Sequence, residues 1–396
     1  MTARQKIKIS CFTIEGLNAF ATVIYLNYLY FFMRSRFGFG DKRNLFLAAL
    51  LGFIYIFAAW HAGRFAQRRG YFTALKVGFG VMAVSLAAGL FLSSAAGQIV
   101  AAAFMVFGMC FTWPTLEALA SDGESTAQLP RVIGIYNVVW ALTNAAAYFT
   151  GGTLIEHFGF KIIFILPLAL VLLQLALTLW LERHAAETAR AMRNQPAAAP
   201  PPEPNRPPPE KAKNFLRMAW LANPFAYIAI NTLLAVLPGV AAKFHLTPMF
   251  AGFACSLWCF ARLVTFFALW FWTGWHYRFR WLAGAFVLLI VSFATILTAR
   301  NFDVLIGAQL FFGGAIGLIY YSSLFYSMDA GDTKGEHGGI HEAAIGIGNC
   351  LGPAVGAASL EFAAWSPNSG AWGVAGLLSL GFAALIWMQT GRRARS

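Results

Sequence analysis

Charge is scarce in this chain. Only 11% of its 396 residues are Asp, Glu, Lys or Arg, against about 25% in an ordinary soluble protein. Hydrophobic residues make up 59% and the mean hydropathy is +0.63. A folded chain so poor in charge would precipitate from water, so its natural solvent is lipid. Cysteine is equally sparse. Cys11, Cys110, Cys255, Cys259 and Cys350 all fall within apolar segments and form no CxxC pair, which argues against a disulfide framework and a zinc site. No GxSxG, HExxH or P-loop lysine occurs, so the common hydrolase, metalloprotease and nucleotide signatures are missing and no cofactor is expected.

Proline is scarce too, except in one place. Asn194 to Lys213 reads NQPAAAPPPEPNRPPPEKAK and holds eight of the sixteen prolines. Such a run is expected to sit in water as a polyproline-like tether. It divides the chain into apolar blocks of nearly equal length, 1–193 and 214–396, each sized for six membrane crossings. The three units are therefore an N-terminal six-helix bundle, a linker over 194–213 and a C-terminal six-helix bundle.

A crossing needs about 20 apolar residues. Twelve such runs are centred near residues 21, 53, 82, 108, 142, 171, 227, 261, 290, 315, 350 and 380. Arg4, Lys6 and Lys8 precede an apolar run to Met33 that is too long for a signal peptide and lacks a cleavage site, so it reads as the first crossing. The net charge of +13 does not point to nucleic acid, because the basic residues fall between apolar segments. With both termini in the cytoplasm, 21 of the 29 Lys and Arg lie on the inner side and seven outside, with Arg262 inside a crossing. The expected place is the cytoplasmic membrane. The first outer loop, with Arg34, Arg36, Lys42 and Arg43, breaks the positive-inside pattern.

The halves repeat weakly. A shift of 205 residues matches Gly134 to Gly339, Ile135 to Ile340, Asn144 to Asn349, Gly151 to Gly356 and Glu156 to Glu361. It pairs the fifth crossing with the eleventh, as duplication of a six-helix unit requires.

In this layout the chain resembles the major facilitator superfamily over its whole length. After the second crossing, GRFAQRRGYF places Gly63, Arg68 and Gly70 on that family's loop signature, with Gln67 where the family has Asp and Tyr71 and Phe72 where it has basic residues. The eleventh crossing carries Gly348, Gly352, Pro353 and Gly356, a GxxxGPxxG pattern that the family often places on its fifth crossing. No PESPR-like run and no ExxER occur, so no subfamily is indicated. The resemblance implies an all-α fold of twelve crossings in two pseudo-symmetric bundles and a secondary transporter working by alternating access as a monomer. It also implies a cavity between the first, fourth, seventh and tenth crossings.

Polar residues inside apolar helices are costly and usually face a cavity or another helix. Glu15, Asn18, Thr22 and Tyr25 form one stripe of the first crossing; Asn137, Trp140, Asn144 and Tyr148 form another on the fifth. Glu342, Asn349 and Pro353 share a face of the eleventh. The resemblance adds Glu117, Asn231, Gln309 and Tyr320 to the expected cavity. For each Asn or Gln the alternative is an interhelical hydrogen bond. Arg262 is the sharpest residue. A guanidinium at mid-membrane keeps its charge and needs an anionic partner, either an anionic group of a substrate or a structural ion pair with Glu342 or Glu15. It favours an anionic or zwitterionic organic solute. Glu15, Glu117 and Glu342 are the candidates for proton coupling, because desolvation favours a neutral carboxyl, with Glu15 first. Glu117 is expected to pair with Arg68 or Arg69.

Other readings have less behind them. His337 and His341 lie four apart with Glu336 and Glu342 adjacent, one helix face for a metalloenzyme, but the remaining five histidines are scattered. A lipid flippase or a transporter-like sensor would keep the same fold. The sequence does not name the solute.

Overall fold

The computed structural model describes residues 3–121, 128–192, 209–330 and 334–393. Side chains at 3–6, 129–130, 133, 185–192, 209, 328–330, 334–341, 343 and 391–393 lie outside that description. Among the described residues the chain is helical, without strands. In order come α1 (Ala3–Phe37), α2 (Asp41–Arg69), α3 (Tyr71–Phe91), α4 (Ala95–Cys110), α5 (Trp113–Ser121), α6 (Leu129–Phe158) and α7 (Ile162–Met192). The second half holds α8 (Pro209–Lys243), α9 (Pro248–Cys255), α10 (Leu257–Phe271), α11 (Phe279–Thr298), α12 (Phe302–Ala330), α13 (Lys334–Ser359) and α14 (Ser369–Arg393).

Two crossings are broken. The fourth is α4 plus α5, because Pro114 has no N–H to continue the ladder and the preceding turn tightens through Phe111 N–H to Gly108 O and Thr112 N–H to Met109 O. The eighth is α9 plus α10, joined at Ser256. Eleven spans are long and apolar enough to cross a membrane. The glycine-rich α13 supplies the twelfth. Large apolar side chains such as Phe53, Phe91, Phe104, Val264, Phe271 and Trp387 are exposed on the outer surface, as lipid-facing positions should be.

The linker is shorter than expected. α8 begins at Pro209, so residues 209–213 form its first turn, where proline is tolerated because the first helical N–H groups have no partner anyway; residues 194–208 lie outside the described residues.

Lipid gives helices little hydrophobic reason to associate, so close packing by small residues does the work. Gly348 and Gly352 let α13 lie directly on α8, against Pro224, Tyr227, Ile228 and Thr232. The two halves meet along two seams, α2 with α13 and α6 with α9 and α10. At the first, a Cβ on Gly52 would overlap the Asn349–Cys350 peptide; at the second, Gly152 lies on Pro248 and Gly252.

The end away from the chain termini carries further contacts between halves. Lys42 at the start of α2 pairs with Glu361 at 2.5 Å. The Glu156 carboxylate accepts a 3.0 Å hydrogen bond from Met249 N–H in the first turn of α9. These two acids are equivalent in the 205-residue repeat, and each reaches from its own half to the start of a helix in the other. Asp41, paired with Arg34 at 2.9 Å, packs on Gly239 of α8. Arg43 lies over the Phe39 ring. The basic residues that broke the charge pattern are thus largely engaged in contacts.

Candidate substrate cavity

A cavity with an empty volume of about 1180 Å³, part of it open to solvent, lies between the halves. Its walls come from α1, α2, α4, α5, α6, α8, α10, α12 and α13. Of the residues expected there, Glu15, Glu117, Trp140, Asn144, Asn231, Arg262, Tyr320, Glu342 and Asn349 line it.

Arg262 is buried, with 3% of its surface exposed. Its guanidinium carbon lies 4.2 Å from the centre of the Trp140 ring and 5.1 Å from that of Trp258. Trp258 stands four residues earlier on α10 and so shares its face; Trp140 comes from α6 of the other half. Trp140 in turn stacks on Tyr320 at 5.4 Å and 19°. Nε and Nη2 of the guanidinium are both buried without a hydrogen-bond partner among the described residues. The expected alternative of a structural ion pair with Glu342 or Glu15 is not found. Among the described residues neither acid lies within 4.0 Å of Arg262.

The acids differ from one another. Glu342 Oε2 accepts a 2.5 Å hydrogen bond from the Tyr55 hydroxyl, which crosses from α2 to α13. Glu15 is fully buried and neither of its oxygens has a hydrogen-bond partner among the described residues; Tyr136 lines the same cavity. Glu117 lines the cavity rather than pairing with Arg68 or Arg69, and among the described residues no ion pair joins them. The expected pairing fails because Arg68 and Arg69 are exposed at the end of α2, while Glu117 turns inward. Asn231 Nδ2 donates to Asn349 Oδ1 at 2.5 Å, joining α8 to α13. Cys259 Sγ lies 3.7 Å from Asn144 Oδ1, joining α10 to α6.

Three expected cavity residues are elsewhere. Asn18 turns to α5's leading turn, where its Nδ2 donates to Thr112 Oγ1 at 3.1 Å. Asn137 and Gln309 are buried but outside the lining. α1 is enclosed by α5, α6 and α7, so its polar stripe divides between cavity and neighbouring helices. In the loop motif, Gly70 adopts φ +90° and its N–H returns to Ala66 O, a conformation that closes α2 and that L side chains rarely adopt. Gly63 has open space where a side chain would sit. His337 and His341 have side chains outside the description. Among the described residues no group of three or more His, Cys, Asp or Glu could hold a metal. Tyr55, Trp113, Tyr136, Tyr227 and Trp258 also line the cavity.

The Major Facilitator Superfamily model matches residues 98–353, well over half of the chain. The chain belongs to the Major Facilitator Superfamily. No curated protein sequence matches it. Among solved structures, the human organic anion transporter MFSD10 (TETRAN) is similar with a TM-score of 0.68 at 14% identity, covering 97% of this chain and 100% of that one. A structure described as giving insight into substrate recognition in proton-dependent oligopeptide transporters superposes with a TM-score of 0.69 at 15% identity, covering 98% of this chain and 97% of the other. At those identities the likeness is one of fold. Superfamily membership accounts for the multi-pass membrane architecture.

Proposed function

We propose that the chain is a secondary active transporter that moves a small organic solute with an anionic group across the cytoplasmic membrane by alternating access, both termini facing the cytoplasm. The halves 1–193 and 214–396 would rock about the two seams, with the solute's anion on Arg262. One observation carries this reading: a buried guanidinium in the central cavity lies over two tryptophan rings, and its Nε–Nη2 edge has no hydrogen-bond partner among the described residues. A guanidinium does not lose its charge in a protein, and two parallel N–H groups on one edge match the two oxygens of a carboxylate. The two similar structures, an organic anion transporter and proton-dependent oligopeptide transporters, are compatible with it. Three carboxyls around the same cavity, Glu15, Glu117 and Glu342, support coupling to protons. The superfamily's usual monomer is the expected assembly.

The test is thermal unfolding of the detergent-purified protein against a panel of organic anions and neutral analogues. A ligand at 100 times its dissociation constant stabilises by about 2.7 kcal/mol. Anions are expected to raise the melting temperature of the parent and not of Arg262→Ala, with Arg262→Lys failing to restore the effect because an ammonium lacks the planar fork. Neutral compounds stabilising parent and variant alike would remove Arg262 from the site.

A further inference from the structure

The cavity has two opposite electrical poles that do not touch. We propose that its solute is an amino-carboxylate zwitterion, with the carboxylate on the Nε–Nη2 edge of Arg262 and the ammonium on Glu342 and Glu117. This rests on the reading of Arg262 above and adds the second pole.

Arg262 on α10 is the positive pole, nine-tenths buried and with an unpartnered donor edge. The negative pole is Glu342 on α13 with Glu117 on α5, two acids that line the same cavity. Glu342 is 7% exposed. Its Oε2 is occupied by Tyr55, while Oε1 has no hydrogen bond among the described residues. Glu15 is the third acid of the lining, and its two oxygens, like Nε and Nη2 of Arg262, are buried without a hydrogen-bond partner among the described residues.

Buried opposite charges each carry a desolvation cost that an ion pair offsets. Among the described residues no ion pair joins Arg262 to Glu342 or Glu117, although all three line one cavity. Tyr227 and Tyr320, their rings 6.4 Å apart, line the same cavity as Arg262, Glu342 and Glu117. The guanidinium is also held at the Trp140 and Trp258 rings, 4.2 and 5.1 Å from their centres. A solute with only an anionic end would meet Arg262 and leave the acids to be neutralised by protons. A solute with only a cationic end would meet the acids and leave Arg262 uncompensated. An ammonium and a carboxylate on one small molecule satisfy both, and the aromatic walls suit the chain that joins them.

The test compares matched triplets by thermal shift and by competition between members: α-amino acids and linear ω-amino acids, each beside its deaminated acid and its decarboxylated amine. The expected result is that at least one amino acid binds more than tenfold more tightly than its own acid and its own amine. Arg262→Lys should then abolish the preference over the amine, and Glu342→Gln, which keeps an acceptor for Tyr55, should abolish the preference over the acid; Glu117→Gln is the second variant if Glu342→Gln does not fold. If a deaminated acid binds as well as its amino acid, and does so only with Arg262 present, the zwitterion proposal falls while the anion reading stands. If an amine binds as well, with or without Arg262, both fall. If no triplet contains a ligand, the zwitterion proposal falls.

Discussion

Tyr55 of α2 donates a 2.5 Å hydrogen bond to Glu342 Oε2 of α13, so an acid of the cavity is tied to the opposite half of the molecule. The same two helices form one of the seams, with Gly52 lying on the Asn349–Cys350 peptide one helical turn away. Occupancy of the cavity near Glu342 and the fit of the halves are therefore adjacent in space and share a residue.

The first prediction follows from that bond. A hydrogen bond to a carboxylate contributes roughly 1.5–3 kcal/mol, which is about 10- to 100-fold in a two-state equilibrium. Tyr55→Phe is expected to shift the balance of conformations away from the shape described here and to slow transport by about that factor. Transport assays in proteoliposomes, read beside the melting curve, check it; unchanged transport would separate the bond from the motion.

The second prediction concerns the aromatic support of Arg262. A desolvated cation–π contact is worth about 2 kcal/mol, and Trp140 also stacks on Tyr320. Trp140→Leu should lower the melting temperature without ligand and weaken ligand binding by about tenfold or more. Trp140→Phe, which keeps a ring face, should recover part of both effects.

The third prediction tests the seams. Over-packing a close contact typically costs about 1–3 kcal/mol. Gly152→Val should be destabilising because its side chain meets the Pro248 carbonyl and Gly252, whereas Gly63→Val, which meets open space, should not be destabilised by overlap. A melting comparison of the two variants decides this, and equal losses would contradict the packing described.

The fourth concerns thiols. All five cysteines are free, and Cys350 alone is half-buried while the other four are buried. A small maleimide should label Cys350 first, and reductant should leave the melting temperature unchanged. Labelling of Cys255 or Cys259 ahead of Cys350 would mean that the α6–α9 seam opens more readily than the α2–α13 seam.

Much of this site was legible in the sequence because lipid makes polar residues conspicuous. Arg262, Glu15, Asn144, Asn231, Glu342 and Asn349 each stand out against apolar neighbours, and each lines the cavity. The same signal also raised Asn18, Asn137 and Gln309, which face other helices. A polar side chain must avoid lipid, but composition does not say which of two inward destinations it takes. Tyr55 and Tyr136 escaped notice for the opposite reason: a tyrosine in an apolar run looks like packing until its hydroxyl is seen beside an acid. The break after α4 had Pro114 to announce it. The break at Ser256 has neither proline nor glycine at the joint, so a continuous eighth crossing was the natural expectation.

The faint 205-residue repeat has a mechanical consequence. Glu156 and Glu361, matched by the repeat, fasten the same end of the molecule from opposite sides, one on Met249 N–H and the other on Lys42. Each half thus reaches the other with a carboxylate at a matched position, one taken up by a backbone N–H and one by a lysine ammonium. Parting that end breaks both, together with the packing of Asp41 on Gly239, so a symmetry of sequence becomes a symmetry of restraint.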